Sequence, residues 1–411
     1  MKILHVASEY PPQEVFGLGR YVSELSRELV LQGHDVHVLT NSMGEGVQDF
    51  MNDGVAVHRV DYPPPPKPPG NLAPALAFNV HLLQRALSLG MEGLGHPDVI
   101  VSHDWLTSVA AHRMAQLWRC PHVWTVHDTH RGKLFNVLQH PTDQMTVALE
   151  RWSATHADMV LVNSSSVAAE VIAEGGDPKR IRIVPCGIDP DRYTSQLSPA
   201  RRAAFRLSLC APDHLLITYA GRLDLEKGID TLINSLSGLR VRHPHVSLVM
   251  AGKGVLQETI QAHVRELDLE DCVSLIGYLQ GDVLRAFYAA SDIHVCPSSY
   301  EPFGLVAVEA MAAGVPVIVS NVGGLADIVA TEAIGLRVAP KDVSGWMTAL
   351  DRLCADAPLR QSLGRAGQAH VRAQYAWTSI AMRAVAAYAE ADADLAGSQD
   401  LVDLLAQTVA S

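Results

Sequence analysis

The sequence predicts an α/β protein with two doubly wound domains, each built on a parallel sheet. Its 411 residues exceed what a single hydrophobic core usually supports, so two domains are expected. Short β-branched runs alternate with helical stretches in both halves, a pattern typical of open parallel sheets. Neither half repeats with a fixed short period, which excludes a solenoid.

The predicted strands form two series, and we expect each series to make one wholly parallel sheet. The first comprises residues 2–8, 35–40, 55–60, 98–103, 122–127, 159–164 and 181–186. The second comprises residues 215–221, 246–252, 273–277, 293–297, 315–321 and 335–339. We therefore place the domains at residues 1–190 and 191–375, followed by a helical segment at 376–411 that partly crosses back onto the first domain.

Composition indicates the class of partner. The net charge of −12 is spread along both halves, which argues against a nucleic-acid surface and against a polybasic membrane patch. No apolar run reaches the ~20 residues needed to span a bilayer. The six cysteines lie far apart without a C-x-x-C pair, so neither a zinc site nor a disulfide framework is predicted. A small-molecule substrate and a reducing cytoplasm are expected, and the oligomeric state is left open.

A proline-rich segment interrupts the first half. Residues 62–70 contain six prolines, which cannot join a strand ladder. We interpret the segment as a stiff surface loop, with a spacer as its simplest role, before a helix at residues 75–89.

Ligands of open parallel sheets bind beyond the carboxyl ends of the strands, so the loops after the strands are the places to search. The loop after the first strand runs from Ser8 to Val22 and contains Gly17 and Gly19 just before an amphipathic helix. Glycines at a helix start let backbone N–H groups approach an anion. Alone, this signal is weak, because a glycine pair more often marks only a turn.

The second domain opens with two cations at a strand end. Arg222 and Lys227 follow the strand at residues 215–221 and precede Gly228 and a helix. An arginine fork and a lysine point charge around one turn suit a diphosphate. Taken singly, both would more often be surface charges.

The strongest motif lies at residues 298–316, where a strand end leads through a Pro-Phe-Gly turn into a helix. Glu301 stands before the helix and Glu309 about one turn inside it. A carboxylate there suits vicinal ribose hydroxyls, while the free N–H groups at Gly304 and Leu305, beside Phe303, face a phosphate or sugar. The alternative is a helix-dipole partner and a solvated charge, which the apolar neighbours disfavour.

Taken together, these motifs resemble the retaining glycosyltransferases of family 4, which have the GT-B fold, and more distantly the glycogen synthases. The likeness covers nearly the whole chain. It is carried by residues 17–20, 103–105, 125–127, 184–189, 221–228 and 301–309. The resemblance implies two Rossmann-like domains facing a central cleft, with the acceptor on the first domain and the nucleotide sugar on the second.

The resemblance also implies roles for individual residues. Arg222 and Lys227 would hold the pyrophosphate, Glu309 the ribose, Glu301 the donor sugar and His127 the sugar. Gly17 would approach the phosphate from the first domain. One departure concerns Phe16, which stands where family members commonly have glycine, so that loop's approach to the substrates is in doubt.

If retention follows from the resemblance, no side-chain nucleophile is needed. The acceptor hydroxyl attacks on the face from which the diphosphate departs, and the leaving phosphate accepts its proton. Arg222 and Lys227 would supply the positive charge. An Asp-x-Asp pair occurs at residues 189–191 and 392–394, but in an interdomain turn and a terminal helix, so no metal is expected. The resemblance implies a nucleotide diphosphate sugar as co-substrate, UDP-linked before GDP- or ADP-linked, that carries a hexosyl unit.

The acceptor side is less determined. His127 ends a strand where the cleft is expected, and His103 is a lesser candidate; a lone histidine is more often structural. Four acids occupy the adjoining loops: Glu9, Glu14, Asp104 and Asp128. They would attract a cationic aminocyclitol or amino sugar, hydrogen-bond neutral hydroxyls, or be ordinary solvated charges.

Other functions fit the same architecture. An α-glucan or disaccharide synthase, a nucleotide-sugar epimerase and a non-catalytic donor-binding module remain alternatives. A dinucleotide dehydrogenase is excluded, because no G-x-G-x-x-G with a suitably spaced acid follows either opening strand.

Overall fold

The computed structural model describes residues 1–12, 17–63, 72–194 and 198–410. They form two compact units, Met1–Gly187 with Trp377–Ser411, and Ile188–Ala376. The sequence-based boundaries were placed at residues 190 and 375, close to these divisions. Most of the proline-rich segment, residues 64–70, lies outside the described residues.

The first unit is built on an eight-stranded sheet with the order β3-β4-β2-β1-β5-β6-β7-β8. Its strands are β1 Lys2–Val6, β2 Asp35–Asn41, β3 Gln48–Asn52, β4 Val55–Val60, β5 Val99–His103, β6 His122–Val126, β7 Met159–Val162 and β8 Ile181–Ile183. Buried apolar residues cover both faces of this sheet, as parallel sheets require.

The expectation of a wholly parallel first sheet is wrong at one edge. β3 pairs antiparallel with β4 and was not predicted. The two strands are joined at Asp53 and Gly54, both with positive φ, and an Asp-Gly pair is a strong hairpin signal. β3 is short and half exposed, so its composition does not resemble a buried parallel strand.

In sequence order, six α-helices in the described part of the first unit fall among its strands, and a seventh follows the second unit. They are α1 Gly17–Leu31, α2 Ala73–Leu89, α3 Asp104–Trp118, α4 His130–Lys133, α5 Pro141–His156, α6 Ser165–Ala173 and, at the carboxyl end, α15 Trp377–Ala410. One face of α15 belongs to the first unit's core: Trp377, Ile380, Ala384 and Tyr388 are buried in the same cluster as Ile3 of β1.

The second unit is built on a six-stranded, wholly parallel sheet with the order β11-β10-β9-β12-β13-β14. Its strands are β9 Leu215–Ala220, β10 Val246–Ala251, β11 Val273–Gly277, β12 Ile293–Cys296, β13 Val317–Ser320 and β14 Leu336–Val338. Its helices are α7 Pro199–Leu207, α8 Ile229–Arg240, α9 Gln257–Glu266, α10 Gly281–Ala290, α11 Leu305–Ala312, α12 Gly323–Ile328, α13 Val343–Ala355 and α14 Ala357–Gln374. The predicted strands of both sheets are all present, which confirms the fold class.

The packing of α15 predicts a large stability effect. Ile380→Ala should lower the unfolding free energy by about 2–5 kcal/mol, because Ile380 is fully buried against the first sheet and its truncation leaves a cavity. Urea denaturation followed by tryptophan fluorescence measures this. Met382→Ala, two residues along the helix and 55% exposed, is the matched control and should change stability by less than about 0.5 kcal/mol. Equal effects at the two positions would contradict the packing described.

Candidate functional site

The carboxyl-end loops of the second sheet are tied to one another by their backbones. Leu223 N–H, after β9, donates to Lys253 O after β10 at 3.0 Å. Ser299 N–H, after β12, donates to Glu226 O at 2.7 Å. Loops from three adjacent strands therefore form one rigid rim, which is where the sequence predicted a ligand site.

Lys227 and Glu301 meet on this rim. Lys227 Nζ lies 2.8 Å from Glu301 Oε2, and the two side chains are only 15% and 14% exposed. Ser298 Oγ donates to the same carboxylate oxygen at 3.2 Å. The pair is thus half-buried and fixed in position, and its members are 74 positions apart in the sequence.

Arg222 lies on the same rim but is held differently. Its guanidinium donates to Asp224 at 2.6 Å and pairs with Glu226, both in its own turn. Its side chain is 62% exposed. Tyr219 OH donates to the Arg222 carbonyl at 2.6 Å, which fixes the backbone. Arg222 is therefore anchored at its base, while its charged end remains open to solvent.

The turn before α11 has a geometry that only glycine suits. Gly304 has φ 106°, and a Cβ there would lie 2.5 Å from Leu325 Cδ2. Its neighbour Phe303 is buried and packs against Tyr375. Leu305 is the first residue of α11, so the first-turn N–H groups have no acceptor within the helix. This arrangement presents a helix N-terminus at the rim beside Glu301.

Glu309 lies inside α11 and is 3% exposed. Tyr193 OH donates to Oε1 at 2.6 Å and Tyr288 OH to Oε2 at 2.9 Å. The carboxylate is therefore held by two tyrosines that the sequence analysis missed. Both are far from the glutamate in sequence, and an isolated tyrosine gives no local signal.

In the first unit, the glycine loop after β1 leads into α1, which begins at Gly17. Glu9 Oε1 accepts a hydrogen bond from Gly19 N–H at 2.8 Å, so this predicted acceptor-binding acid caps the start of α1. Glu14 and Phe16 lie outside the described residues.

His103 and His127 lie together at the carboxyl ends of β5 and β6. His103 Nδ1 is 3.3 Å from His127 Nε2, and His103 Nε2 is 3.0 Å from Nδ1 of His5 in β1. Tyr21 of α1 packs edge-on against His127 with ring centroids 4.6 Å apart. The sequence analysis singled out His103 and His127 but missed His5, which lies inside a strand.

The acids beside these histidines have distinct partners. Asp104 Oδ1 accepts from His127 N–H at 2.9 Å, and Asp128 Oδ2 lies 2.9 Å from Lys133 Nζ. Burial and the charge of Asp128 raise the pKa of Asp104. The structure thus brings His103, His127, Asp104 and Asp128 into one cluster.

A further buried carboxylate lies next to this cluster. Glu150 of α5 is 4% exposed, and its two oxygens accept from His130 N–H at 2.9 and 3.1 Å. Burial raises the pKa of Glu150 to about 8. It was not predicted, because a single glutamate in an amphipathic helix resembles a solvated charge.

The two carboxylates of the Asp-x-Asp pair at residues 189–191 are paired with arginines. Asp189 caps its own turn and pairs with Arg192 at 3.0 Å, and Asp191 pairs with Arg372 at 2.7 Å. Within the described ranges, the cluster that could hold a metal ion is Asp213, His214 and His245, whose ligand atoms lie within 4.8 Å of one another. Those three residues precede β9 and β10, at the sheet edge opposite the rim.

Family models match both units. The chain matches "Glycosyl transferase 4-like domain" over residues 16–187 and "Glycosyl transferases group 1" over residues 203–370. The class of protein is therefore glycosyltransferase, with the two-domain GT-B fold. Within that class, the chain belongs to the GT4-type glycosyltransferases.

Relatives match along almost their whole length. An uncharacterized glycosyltransferase of Methanocaldococcus jannaschii is 33% identical over 391 residues, covering 94% of this chain and 98% of the relative. A glycogen synthase of Mycobacterium tuberculosis is 33% identical over 400 residues, covering 94% of each. A D-inositol 3-phosphate glycosyltransferase of Paenarthrobacter aurescens is 30% identical over 387 residues, covering 91% and 93%.

Among solved structures, a sucrose-phosphate synthase from Thermosynechococcus elongatus superposes with a TM-score of 0.79 and 27% identity, covering 96% of this chain and 100% of that one. In the described part of this chain, none of the helices is both long enough and apolar enough to cross a membrane.

The raised pKa of Glu150 predicts a pH-dependent stability. Because the folded-state pKa is about 8 and the unfolded one about 4.3, the folded state binds the extra proton, and stability falls as pH rises between these values. Between pH 5.5 and 8.0 the unfolding free energy of the unaltered chain should fall, and Glu150→Gln should make this fall smaller by about 3 kcal/mol. Tryptophan fluorescence during urea denaturation reports mainly on the first unit, which holds five of the six tryptophans.

The control for this measurement is Glu92→Gln, at a carboxylate of the same unit that is 58% exposed. Its pH dependence should match that of the unaltered chain. A Glu150→Gln variant with the unaltered slope would contradict the assignment.

Proposed function

We propose that this protein is a retaining, metal-independent hexosyltransferase. It transfers glucose, N-acetylglucosamine or a related sugar from a nucleotide diphosphate donor, with UDP as the first candidate nucleotide, to a hydroxyl of a small soluble acceptor such as a sugar or aminocyclitol. The observation that carries this proposal is the rim of the second sheet, where Lys227, Glu301 and the α11 N-terminus are fixed together beside Arg222.

The diphosphate is assigned to Arg222 and Lys227. Arg222 offers a mostly exposed guanidinium, which can exchange its solvent-screened carboxylate partners for phosphate oxygens at little cost. Lys227 is less exposed and holds Glu301, so its charge is fixed in place before the donor arrives. Preorganised charge of this kind stabilises negative charge that develops on the leaving oxygen.

The rest of the donor is assigned to the α11 segment. The free first-turn N–H groups at Gly304 and Leu305 suit a phosphate or a sugar hydroxyl. Glu309 is assigned to the ribose hydroxyls, because Tyr193 and Tyr288 hold its two carboxylate oxygens in a fixed position one turn inside α11. Glu301 then orients the donor sugar, while its position is kept by Lys227 and Ser298.

The reaction needs no protein nucleophile. The acceptor oxygen forms a bond to the anomeric carbon on the face from which the diphosphate departs, the bond from that carbon to the phosphate oxygen breaks, and the leaving phosphate takes the acceptor's proton. Arg222 and Lys227 carry the charge that a metal supplies in other transferases. The engagement of Asp189 and Asp191 by arginines supports this metal-independent reading.

The acceptor side is assigned to the cluster that contains His127, with Gly17 and the start of α1 offering backbone N–H groups. The raised pKa of Asp104 makes this acid a poorer attractor of a cationic acceptor than a fully ionised carboxylate. Asp128 is half-exposed and shares its charge with Lys133. These features favour hydroxyl recognition over recognition of an amine.

A second candidate function is elongation of an α-glucan. The 33% identity to a glycogen synthase over 94% of both chains favours it, and its donor chemistry is the same. The two differ in the acceptor, which is a polymer end for a glucan synthase and a small cyclitol or sugar for the first candidate.

Variants of the cations test the diphosphate assignment. Arg222→Ala and Lys227→Ala should each weaken binding of UDP about 10–100-fold, because each removes a charge-assisted hydrogen bond to the diphosphate. They should weaken binding of uridine alone less than threefold. Isothermal titration calorimetry measures both ligands, with GDP and ADP as alternatives if UDP does not bind.

The matched control is Arg240→Ala, which removes an Arg–Asp ion pair at the far end of α8 and should leave both affinities unchanged. If uridine and UDP lose affinity in equal measure, the diphosphate assignment is wrong.

Product analysis tests the reaction itself. Incubation with UDP-glucose and acceptor pools, containing α-glucan, free sugars or inositol phosphate, should release UDP with one pool and give a product of retained anomeric configuration by NMR. Chelation of divalent metals with EDTA should leave the rate within twofold. An inverted product would contradict retention, and an epimer formed without any acceptor would contradict transfer.

A further inference from the structure

Three histidines form a continuous chain across adjacent strands of the first sheet. β1, β5 and β6 are neighbours, and they place His5, His103 and His127 in order from the sheet interior to its carboxyl edge. The ring nitrogens are 3.0 Å apart between His5 and His103 and 3.3 Å apart between His103 and His127. The planes of successive rings are nearly parallel, with interplanar angles of 24° between His5 and His103 and 23° between His103 and His127.

Burial favours the neutral form of all three imidazoles. Burial lowers the pKa of His5 to about 3 and that of His127 to about 4. Burial, together with the neighbouring histidines, holds the pKa of His103 well below its ordinary value. A neutral imidazole has one N–H donor and one acceptor nitrogen, so each contact in the chain has a direction, and the two directions are linked through His103.

The direction of both histidine–histidine hydrogen bonds follows from the surroundings of His5, the most deeply placed of the three residues. His5 Nε2 is buried and has no hydrogen-bond partner among the described residues. If the protons pointed toward His5, this atom would be an orphaned N–H donor; in the opposite direction it is an unprotonated acceptor. Orphaned buried donors are rarer and more costly than unfilled acceptors. His5 Nδ1–H therefore donates to His103 Nε2, and His103 Nδ1–H donates to His127 Nε2.

We infer that His103, supported by His5, is a positioning residue that fixes His127 as its Nδ1–H tautomer, so that His127 acts on the substrate as a hydrogen-bond donor. This inference rests on the proposed function for its catalytic consequence but not for the proton placement. His103 has no exposed surface, so it acts on a ligand only through His127.

The surroundings of His127 suit this role. In the described part of the chain, Nδ1 of His127 has no hydrogen-bond partner, and the residue is half-buried rather than sealed. Its backbone is held on both sides, since Asp104 accepts from its N–H at 2.9 Å and Asn163 Nδ2 donates to its carbonyl at 2.7 Å. Tyr21 packs against the ring. The ring is thus fixed with one donor atom accessible, which fits a sugar hydroxyl or a phosphate oxygen.

The inference has a direct spectroscopic test that requires no substrate. Two-bond ¹H–¹⁵N correlation spectra of the full chain labelled with ¹⁵N-histidine distinguish protonated from unprotonated ring nitrogens. In the unaltered chain, His127 should have a protonated Nδ1. His103→Asp places an acceptor-only side chain there, to which His127 Nε2–H can donate, so His127 should change to the Nε2–H form. His103→Asn offers an amide N–H near the same place and should retain the Nδ1–H form.

Steady-state kinetics tests the catalytic consequence, with the donor and acceptor that the product analysis described under Proposed function identifies. His103→Asp should lower kcat about tenfold or more while leaving KM for the donor within twofold, and His103→Asn should keep kcat within threefold of the unaltered chain. His122→Asn is the matched control: His122 is also buried on the same sheet, but its contact is with Ser102 Oγ at 2.8 Å, outside the chain. It should leave kcat and the His127 tautomer unchanged.

His5→Asp covers the case in which His103→Asp does not fold. It leaves His103 in place but gives it an acceptor where His5 donated, so His103 should donate through Nε2–H, its Nδ1 becomes an acceptor, and His127 should change to the Nε2–H form with a fall in kcat. An unchanged His127 tautomer in either aspartate variant would overturn the inference, whatever the activity. A changed tautomer with unchanged kcat would overturn its catalytic consequence. A failure of the proposed function would instead appear as absent transfer in the unaltered chain, with the spectra unaffected.

Discussion

Parallel pairing makes all strands of a sheet end at one edge, and this constraint creates both clusters of functional side chains. In the second unit, β9 and β12 are neighbours, so Lys227 and Glu301 meet although 74 residues separate them. In the first unit, β1, β5 and β6 are neighbours, so three histidines from distant parts of the chain form one row. Neither cluster requires an unusual local conformation of the strands themselves.

On the rim of the second unit, both predicted diphosphate-binding cations are paired with acidic side chains. Arg222 pairs with a carboxylate in its own turn, and Lys227 pairs with Glu301 across the rim. The two arrangements differ in exposure, and exposure sets how easily an anion can displace the carboxylate. A screened surface pair contributes little and exchanges readily, whereas a half-buried pair resists separation. The rim therefore combines Arg222, whose carboxylate partner an anion can displace, with Lys227, whose position is fixed. This combination would suit first the binding and then the orientation of a diphosphate.

The cluster in the first unit consists largely of buried polar side chains, which must satisfy one another's hydrogen bonds. Buried imidazoles and carboxyl groups can lie in one network only if each proton has a defined place. Asp104 and Glu150 accept backbone N–H groups of the β6 loop at His127 and His130, while His5 and His103 complete the network from the strand side. The segment that carries His127 is thus held from several directions, which is what a precise donor position requires.

The sequence by itself determined the fold class and the positions of the parallel strands, and it predicted the loops that carry the candidate site. Hydrophobic periodicity and glycine placement are local signals, so they are readable one segment at a time. It did not determine the antiparallel β3, because that strand is short and half exposed. The sequence likewise did not predict the roles of Tyr193, Tyr288, His5 and Glu150. Each is a single residue without a local pattern, and its partners lie far away in the sequence. Only the tertiary structure decided which side chains share a hydrogen bond, how deeply each is buried and hence which protons they hold, since these properties depend on packing between distant segments.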